Sequence, residues 1–96
     1  SQTMVDFTLH NNYPNPFNSS TSISYSIMED NYINITIYDL IGNRIKLLIN
    51  KYQSPGHYKV QWNGKNDNGI SVSAGIYLYS IEADGIMNVK KMVLLK

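Results

Sequence analysis

The chain has 96 residues, of which 43% are hydrophobic and 16% charged, and its formal net charge is +1. This length fits one domain with a single core, and the near-neutral charge gives no clustered basic surface for nucleic acid. The absence of cysteine excludes disulfides, thiolate metal sites and cysteine nucleophiles. No apolar run approaches 18 residues and no signal peptide stands at Ser1, so we expect no transmembrane segment.

The apolar residues recur with a period of two, which is typical of β-strands. Residues 1–6 look like a linker from an upstream domain, and the predicted domain occupies residues 7–96. The clearest alternation is at residues 23–27, where serine separates Ile, Tyr and Ile. Further alternating runs occupy residues 7–9, 33–37, 45–49 and 58–62. Leu40 to Leu48 is mixed enough that a helix stays open there.

Turn residues separate these runs. Gly, Pro, Asn or Asp cluster at residues 29–31, 39–43, 54–56, 66–69 and 84–85. Asp84-Gly85 is a strong signal for a two-residue hairpin. About seven short strands at this spacing predict an all-β fold, an antiparallel β-sandwich.

The final strand departs from simple alternation. Met92 and Leu94 point to one face of it, and Val93 and Leu95 to the other. Since a strand of an antiparallel sheet usually has one wet face, one apolar pair is either covered by another segment or exposed. An exposed pair beside a sheet edge is a docking surface, whereas double burial indicates a central strand. Both interpretations stay open.

The segment from Tyr13 to Phe17 contains two prolines, which fix φ and favour extended geometry at the residues before them. We expect Tyr13 and Phe17 to clamp this segment against the sandwich. A stiff loop between two strands explains the same residues, and a single short repeat does not indicate a proline-rich ligand for another domain.

The sequence gives only weak evidence for metal-binding or catalytic groups. The Asn63–Gly69 stretch offers oxygen ligands of the kind calcium prefers, but Asp67 is its only carboxylate, and a turn explains its Asn and Gly residues. His10 and His57 have no partner at metal-ligand spacing. No nucleophile elbow surrounds any serine, and the carboxylates are scattered. We therefore predict no metal, no cofactor and no catalytic residue.

The eight tyrosines suggest a rival function, a stacking platform for sugar rings. Tyr25, Tyr58 and Trp62 fall in the apolar phase of their strands and are better explained as core. Tyr32, Tyr38 and Tyr52 are the remaining candidates for such a platform.

Several motifs, in this order and spacing, resemble the type A C-terminal sorting domains of type IX (Por) secretion cargo. The resemblance covers residues 9–96 and includes Y-P-N-P-F-N, Y-D-x-x-G-x, W-x-G-x-x-x-x-G, G-x-Y-x-Y and K-K-x-x-x-x-K. These domains are immunoglobulin-like and related to one in the flagellar hook-capping protein. The motif residues expected to shape the fold are Tyr13, Pro14, Asn15, Pro16, Phe17, Asp39, Gly42, Trp62, Gly64 and Gly69.

The resemblance implies a non-catalytic sorting signal for an upstream cargo domain. Its partners are outer-membrane type IX translocon and sortase proteins, and cleavage falls before about Phe7. The chain would be exported, passing the periplasm to the cell surface or medium. The residues implied in translocon recognition are Gly75, Tyr77, Lys90, Lys91, Met92, Val93, Leu94, Leu95 and Lys96.

Two alternatives remain, a carbohydrate-binding or adhesive sandwich and a structural spacer of a secreted multidomain enzyme. The first predicts exposed, coplanar aromatics, and the second predicts no dedicated recognition site. A sorting signal must end its precursor, and Lys96 without a tag suggests a natural terminus. An apolar edge strand also allows a weak edge-strand dimer.

Overall fold

The computed structural model describes residues 7–96, which form seven strands in two antiparallel sheets. The strands are β1 (Phe7–Leu9), β2 (Thr21–Ile27), β3 (Asn31–Tyr38), β4 (Arg44–Gln53), β5 (Gly56–Trp62), β6 (Gly75–Ala83) and β7 (Ile86–Leu94). One sheet has the order β1-β2-β5 and the other β4-β3-β6-β7. The predicted immunoglobulin-like sandwich is confirmed. The predicted linker lies outside the described residues, and residues 7–96 contain no helix able to span a membrane.

The alternation in β2 arises because every second side chain faces the opposite sheet. Ile23, Tyr25 and Ile27 are buried, whereas the serines between them are partly exposed. The register aligns Tyr25 with Tyr58 of β5, and their rings stack at 5.4 Å. The three-stranded sheet therefore has one apolar inner face and one polar outer face.

The four-stranded sheet supplies the other half of the core. Ile33, Ile35 and Ile37 of β3 are all fully buried, and β3 lies between β4 and β6. Full burial of an isoleucine side chain contributes about 1.5–3 kcal/mol. Strand β3 thus contributes three fully buried isoleucines to the core.

Strand β4 is where simple alternation is wrong. Its pairing with β3 shifts register twice, so Ile49 lies opposite Ile35 while Leu47 lies opposite Thr36. The extra residue at Leu48 packs against the core, as expected of a β-bulge. This bulge explains the mixed pattern around Leu48, and the segment is a strand.

Candidate functional site

The last strand, β7, has one buried face and one exposed face. Met92 and Leu94 are 0% and 2% exposed, whereas Leu95 is 47% exposed and Val93 is partly exposed. The exposure of Val93 and Leu95 shows that the outer face is not fully covered, and β7 is also an edge strand among the seven described strands. Of the two interpretations left open by the sequence, the exposed pair is the one observed.

The proline-containing segment is hydrogen-bonded directly to the end of β7. The Phe17 amide donates to the Val93 carbonyl at 3.0 Å, and the Leu95 amide donates to the Phe17 carbonyl at 2.7 Å. The Val93 amide donates to Asn15 Oδ1 at 3.0 Å. Phe17 and Leu94 form a parallel bridge. Two motifs at opposite ends of the sequence therefore form one structural unit.

Only one of the two predicted aromatic clamps is an anchor. Phe17 is 2% exposed, but Tyr13 is 80% exposed, so the expectation that both rings clamp this segment is wrong. The backbone of Tyr13 exchanges two hydrogen bonds of 2.9 Å with Ser22. This bridge attaches Tyr13 to β2 through its main chain, and the ring contributes little to the attachment. The two X-Pro bonds in the segment, Tyr13-Pro14 and Asn15-Pro16, are cis.

A chain of aromatic contacts connects three motifs around Leu94. The Trp62 ring meets Phe17 edge to face at 5.8 Å and Tyr77 at 5.3 Å. A Cβ added to Gly64 would lie 3.6 Å from a Leu94 methyl group, and Gly64 has φ of +73°. We refer to Phe17, Trp62, Gly64, Tyr77 and Leu94 as the terminal cluster.

Hydrogen bonds hold the polar ends of the terminal cluster. Trp62 Nε1 donates to the Lys65 carbonyl at 2.9 Å, and the Tyr77 hydroxyl donates to the Ser73 carbonyl at 2.6 Å. Burial raises the pKa of Tyr77, which keeps the hydroxyl protonated as a donor. Both aromatic side chains therefore combine an apolar body with a satisfied polar tip.

The segment that precedes the prolines is also fixed from inside the sandwich. The Tyr79 hydroxyl accepts from the Asn12 amide and donates to the His10 carbonyl, both at 2.9 Å. Asn12 Nδ2 donates to Thr21 Oγ1 at 2.9 Å, and that hydroxyl donates to the Pro14 carbonyl at 2.8 Å. Tyr79, the second tyrosine of the G-x-Y-x-Y motif, thus supports the same segment that binds β7.

The residues implied in recognition divide by burial. Tyr77, Met92 and Leu94 are buried, and Gly75 begins β6 opposite Leu94. Lys90 is half-buried. The exposed members are Lys91, Leu95 and Lys96. The surface available to a partner is therefore the outer face and free edge of β7, supported from below by the terminal cluster.

The Asn63–Gly69 loop, whose oxygens were considered as calcium ligands, is hydrogen-bonded to β4 through Asp67. Asp67 Oδ1 accepts from the Leu47 amide and Oδ2 from Arg44 Nε, both at 3.0 Å. Asn66 Oδ1 accepts from the amides of Asn68 and Ile70. Among residues 7–96, no group of three His, Asp or Glu side chains is placed to hold a metal. The Asn and Asp oxygens of this loop are used in turn geometry.

The turn at Asp39 is built in the same way. Asp39 Oδ1 accepts from the amides of Ile41 and Asn43, and Oδ2 accepts from Asn43 Nδ2. Gly42 and Gly69 have positive φ, +94° and +78°, in their respective turns. Asp39, Gly42 and Gly69 thus lie in turns whose geometry they help to form.

The Asp67 contacts predict acid sensitivity. The hydrogen bond from the Leu47 amide, followed by the nearby Arg44, holds the pKa of Asp67 below its ordinary value of 3.8. A lowered folded-state pKa contributes stability that is present above the unfolded pKa and is lost as pH falls through the folded one. We expect Asp67→Asn to reduce the loss of stability between pH 5 and pH 2, measured by urea unfolding. Asp30→Asn, in the exposed β2–β3 turn, is the control and should leave that loss unchanged.

The aromatic candidates for a sugar platform are only partly brought together. Tyr32 and Tyr52 face each other across β3 and β4 with centroids 5.0 Å apart, but their planes make an angle of 75°. Tyr38 lies at the other end of β3. The flat, coplanar arrangement expected of a sugar platform is therefore absent among these three residues.

The two histidines, isolated in sequence, line one shallow cleft of about 270 Å³ with Ser24 and Lys59. The alternating pattern of residues 23–27 predicts strand β2, and both histidines lie beside that strand. His57 pairs with Ser26 across β2 and β5, and the His10 amide donates to the Ser24 carbonyl. No carboxylate of the described residues lines the cleft.

The family defined as the FlgD Ig-like domain matches residues 18–85, more than half of the chain. No curated protein matches the sequence significantly.

Solved structures with the same fold include two proteins of Porphyromonas gingivalis. Dimeric latent PorU superimposes with a TM-score of 0.75 at 18% identity, over 99% of this chain and 10% of that one. PorZ, an essential surface component of the type IX secretion system, gives 0.61 at 15% identity, over 94% and 11%. FlgD of Xanthomonas campestris, a protein of flagellar hook capping, gives 0.62 at 19% identity, over 92% and 66%. The chain thus spans about a tenth of the length of PorU and PorZ.

Proposed function

This chain belongs to the FlgD Ig-like domain family, and we propose that it is a non-catalytic sorting domain for type IX secretion. It directs an upstream cargo domain through the outer-membrane translocon, and a surface sortase later removes it. The route leads through the periplasm to the cell surface or the medium. The likeness to PorZ, itself a component of that secretion system, is consistent with the proposal but carries only the fold.

The observation that carries the proposal is the convergence of the sorting-domain motifs on β7. Phe17, Trp62 and Tyr77 come from three different motifs and form one contact chain. A spacer domain has no need to support one exposed edge strand from three distant segments. A recognition element must keep a fixed shape, and packing by a rigid core provides that.

The proposed recognition residues have two roles. Lys90, Lys91, Val93, Leu95 and Lys96 contact the translocon. Buried residues keep β7 in place: Gly75, Tyr77, Met92 and Leu94. This division predicts that surface substitutions affect export without affecting folding.

An export assay tests the proposal. Residues 1–96 are fused behind a periplasm-targeted fluorescent protein in a bacterium that has a type IX system. We expect the fusion to reach the surface or medium, and Lys91→Glu/Lys96→Glu to retain it in the periplasm, because both side chains are exposed on the proposed contact surface. Lys59→Glu/Lys65→Glu makes the same charge change at exposed residues elsewhere and should still be exported.

Thermal unfolding of all three proteins verifies that they are folded. If the folded parent fusion stays in the periplasm, the sorting function is wrong and a spacer or glycan-binding domain is the better explanation. Equal export of the two charge variants would instead remove Lys91 and Lys96 from the recognition surface.

A further inference from the structure

The backbone of β7 has a free edge whose direction can be read from its contacts. Val93 uses its amide and carbonyl to bond Asn15 and Phe17, on the side away from β6. The β6–β7 pairing is regular from Ala83↔Ile86 to Gly75↔Leu94. Backbone groups of successive residues point to opposite sides of a strand, so those of every second residue point to the same side. The backbone groups of Met87, Val89 and Lys91 therefore point away from β6, as those of Val93 do.

This edge is bounded at both ends. The turn at Asp84 and Gly85, both with positive φ, closes it on one side. The contacts of Asn15 and Phe17 with Val93 close it on the other. We refer to residues 87–91 as the open edge. Five residues at about 3.4 Å each leave room for a short added strand.

The opposite edge of the same sheet is treated differently. Along β4, the Leu47 amide donates to the Asp67 side chain, and the Ile45 carbonyl accepts from the Asp67 amide at 2.8 Å. A loop of this chain therefore covers part of that edge, whereas the open edge has no hydrogen bond of this kind among the described residues. An uncovered edge is a template for strand addition.

The side chains at the open edge indicate the chemistry of a strand that could pair with it. Met87 and Val89 are 54% and 51% exposed on the outer face. Lys91 is exposed on the same face, and Lys90 belongs to the sandwich-facing set of alternate residues. At one end of the edge, Lys90 and Lys91 place one positive charge on each face of the sheet. The apolar side chains of Val89 and Met87 lie along the rest of the outer face. Two successive carboxylates on an added strand would lie opposite these two lysines.

We propose that the open edge binds an extended acidic segment of a partner protein, which adds to the sheet as a fifth strand. This proposal rests on the sorting function and names the chemistry of its partner. Backbone hydrogen bonds supply affinity, and opposite charges across the pair supply specificity. A second copy of this chain offers no opposite charge, because antiparallel self-pairing about Val89 sets Met87 and Asn88 of the copy opposite Lys91 and Lys90.

A peptide titration tests the proposal on the isolated chain of residues 1–96. The probe is an acetylated peptide with the core Glu-Glu-Val-Thr-Val, which in antiparallel pairing places its glutamates opposite Lys91 and Lys90. On binding, the amides of Met87, Val89 and Lys91 should gain protection from hydrogen exchange, because only these face the new strand. The amides of Asn88 and Lys90 already face β6 and should change little.

Two variants separate the backbone and charge contributions. Val89→Pro removes one edge-facing N–H without removing a bond to β6, and proline is tolerated at such positions. We expect it to weaken binding about tenfold or more, while Val89→Thr, which keeps the N–H, binds normally. Lys91→Glu should weaken binding about tenfold and regain it with a probe carrying lysines in place of the glutamates.

The outcomes are distinct from those of the export assay. Absence of protection at the three amides, or equal binding by Val89→Pro, overturns the open edge as a strand acceptor, even if the fusion is exported. If these amides gain protection from hydrogen exchange as the protein concentration rises, without peptide, the strand added to the edge is a second copy of this chain. That result would overturn the acidic partner. Binding with the expected variant pattern, in a chain that is not exported, upholds the edge and rejects the sorting function.

Discussion

Trp62→Ala should destabilise the domain by about 3–5 kcal/mol, the usual cost of truncating a buried tryptophan. Trp62 is 1% exposed, and its ring is the middle member of the Phe17–Trp62–Tyr77 contacts. The substitution leaves a cavity and also removes the donor to the Lys65 carbonyl. Small domains have stabilities of about 5–15 kcal/mol, so the loss is a large fraction of the free energy of unfolding.

Urea and thermal unfolding measure this effect, and a loss of this size lowers the Tm by about 15–30 °C in a domain of this length. Tyr52→Ala is the matched control, because that aromatic side chain is 77% exposed and surface substitutions usually change stability by less than about 0.5 kcal/mol. Similar Tm values for the two variants would show that the terminal cluster contributes no more than a surface pair.

The strands could be predicted from the sequence where burial against the core alone determines the alternation of apolar and polar residues. In β2 and β5 every second residue faces the core, so periodicity identified Tyr25 and Trp62 as buried. The pattern fails at Leu48, because a bulge adds one residue and reverses the phase of the residues on its far side. A bulge depends on the partner strand and on the Asp67 loop that binds beside it, and local sequence contains neither.

The sequence singled out the members of the terminal cluster but did not predict their contacts. The family motifs include Phe17, Trp62 and Tyr77 as separate residues. Their contacts with one another depend on how the two sheets pack. Periodicity at residues 92–95 shows that two faces are apolar, but it does not show which segment covers an edge. The hydrogen bonds from Asn15 and Phe17 to Val93 are long-range, and they decide how much of β7 stays open. In the Asn-rich loop, the oxygen atoms weighed as calcium ligands accept amide protons of β4 and of the loop itself.

Ending the chain at Lys91 should prevent folding. The deletion removes Met92 and Leu94, both buried, and truncating such side chains to alanine alone costs about 2–5 kcal/mol each. It also removes the partners of Phe17 and Asn15, with a loss of about 1 kcal/mol per hydrogen bond. The sum reaches the whole stability expected of a domain of this size. Amide NMR dispersion and urea unfolding measure the result.

Ending the chain at Leu94 is the matched control. It loses exposed side chains and the single bond from the Leu95 amide to the Phe17 carbonyl, so about 1 kcal/mol is expected. A cooperative urea transition in the Lys91-ended chain, with the parent midpoint, would contradict a structural role for the end of β7. If that chain is unfolded as expected, its failure in export reports lost folding. Recognition then has to be tested by substitutions such as Lys91→Glu, which change the exposed surface and leave the terminal cluster intact.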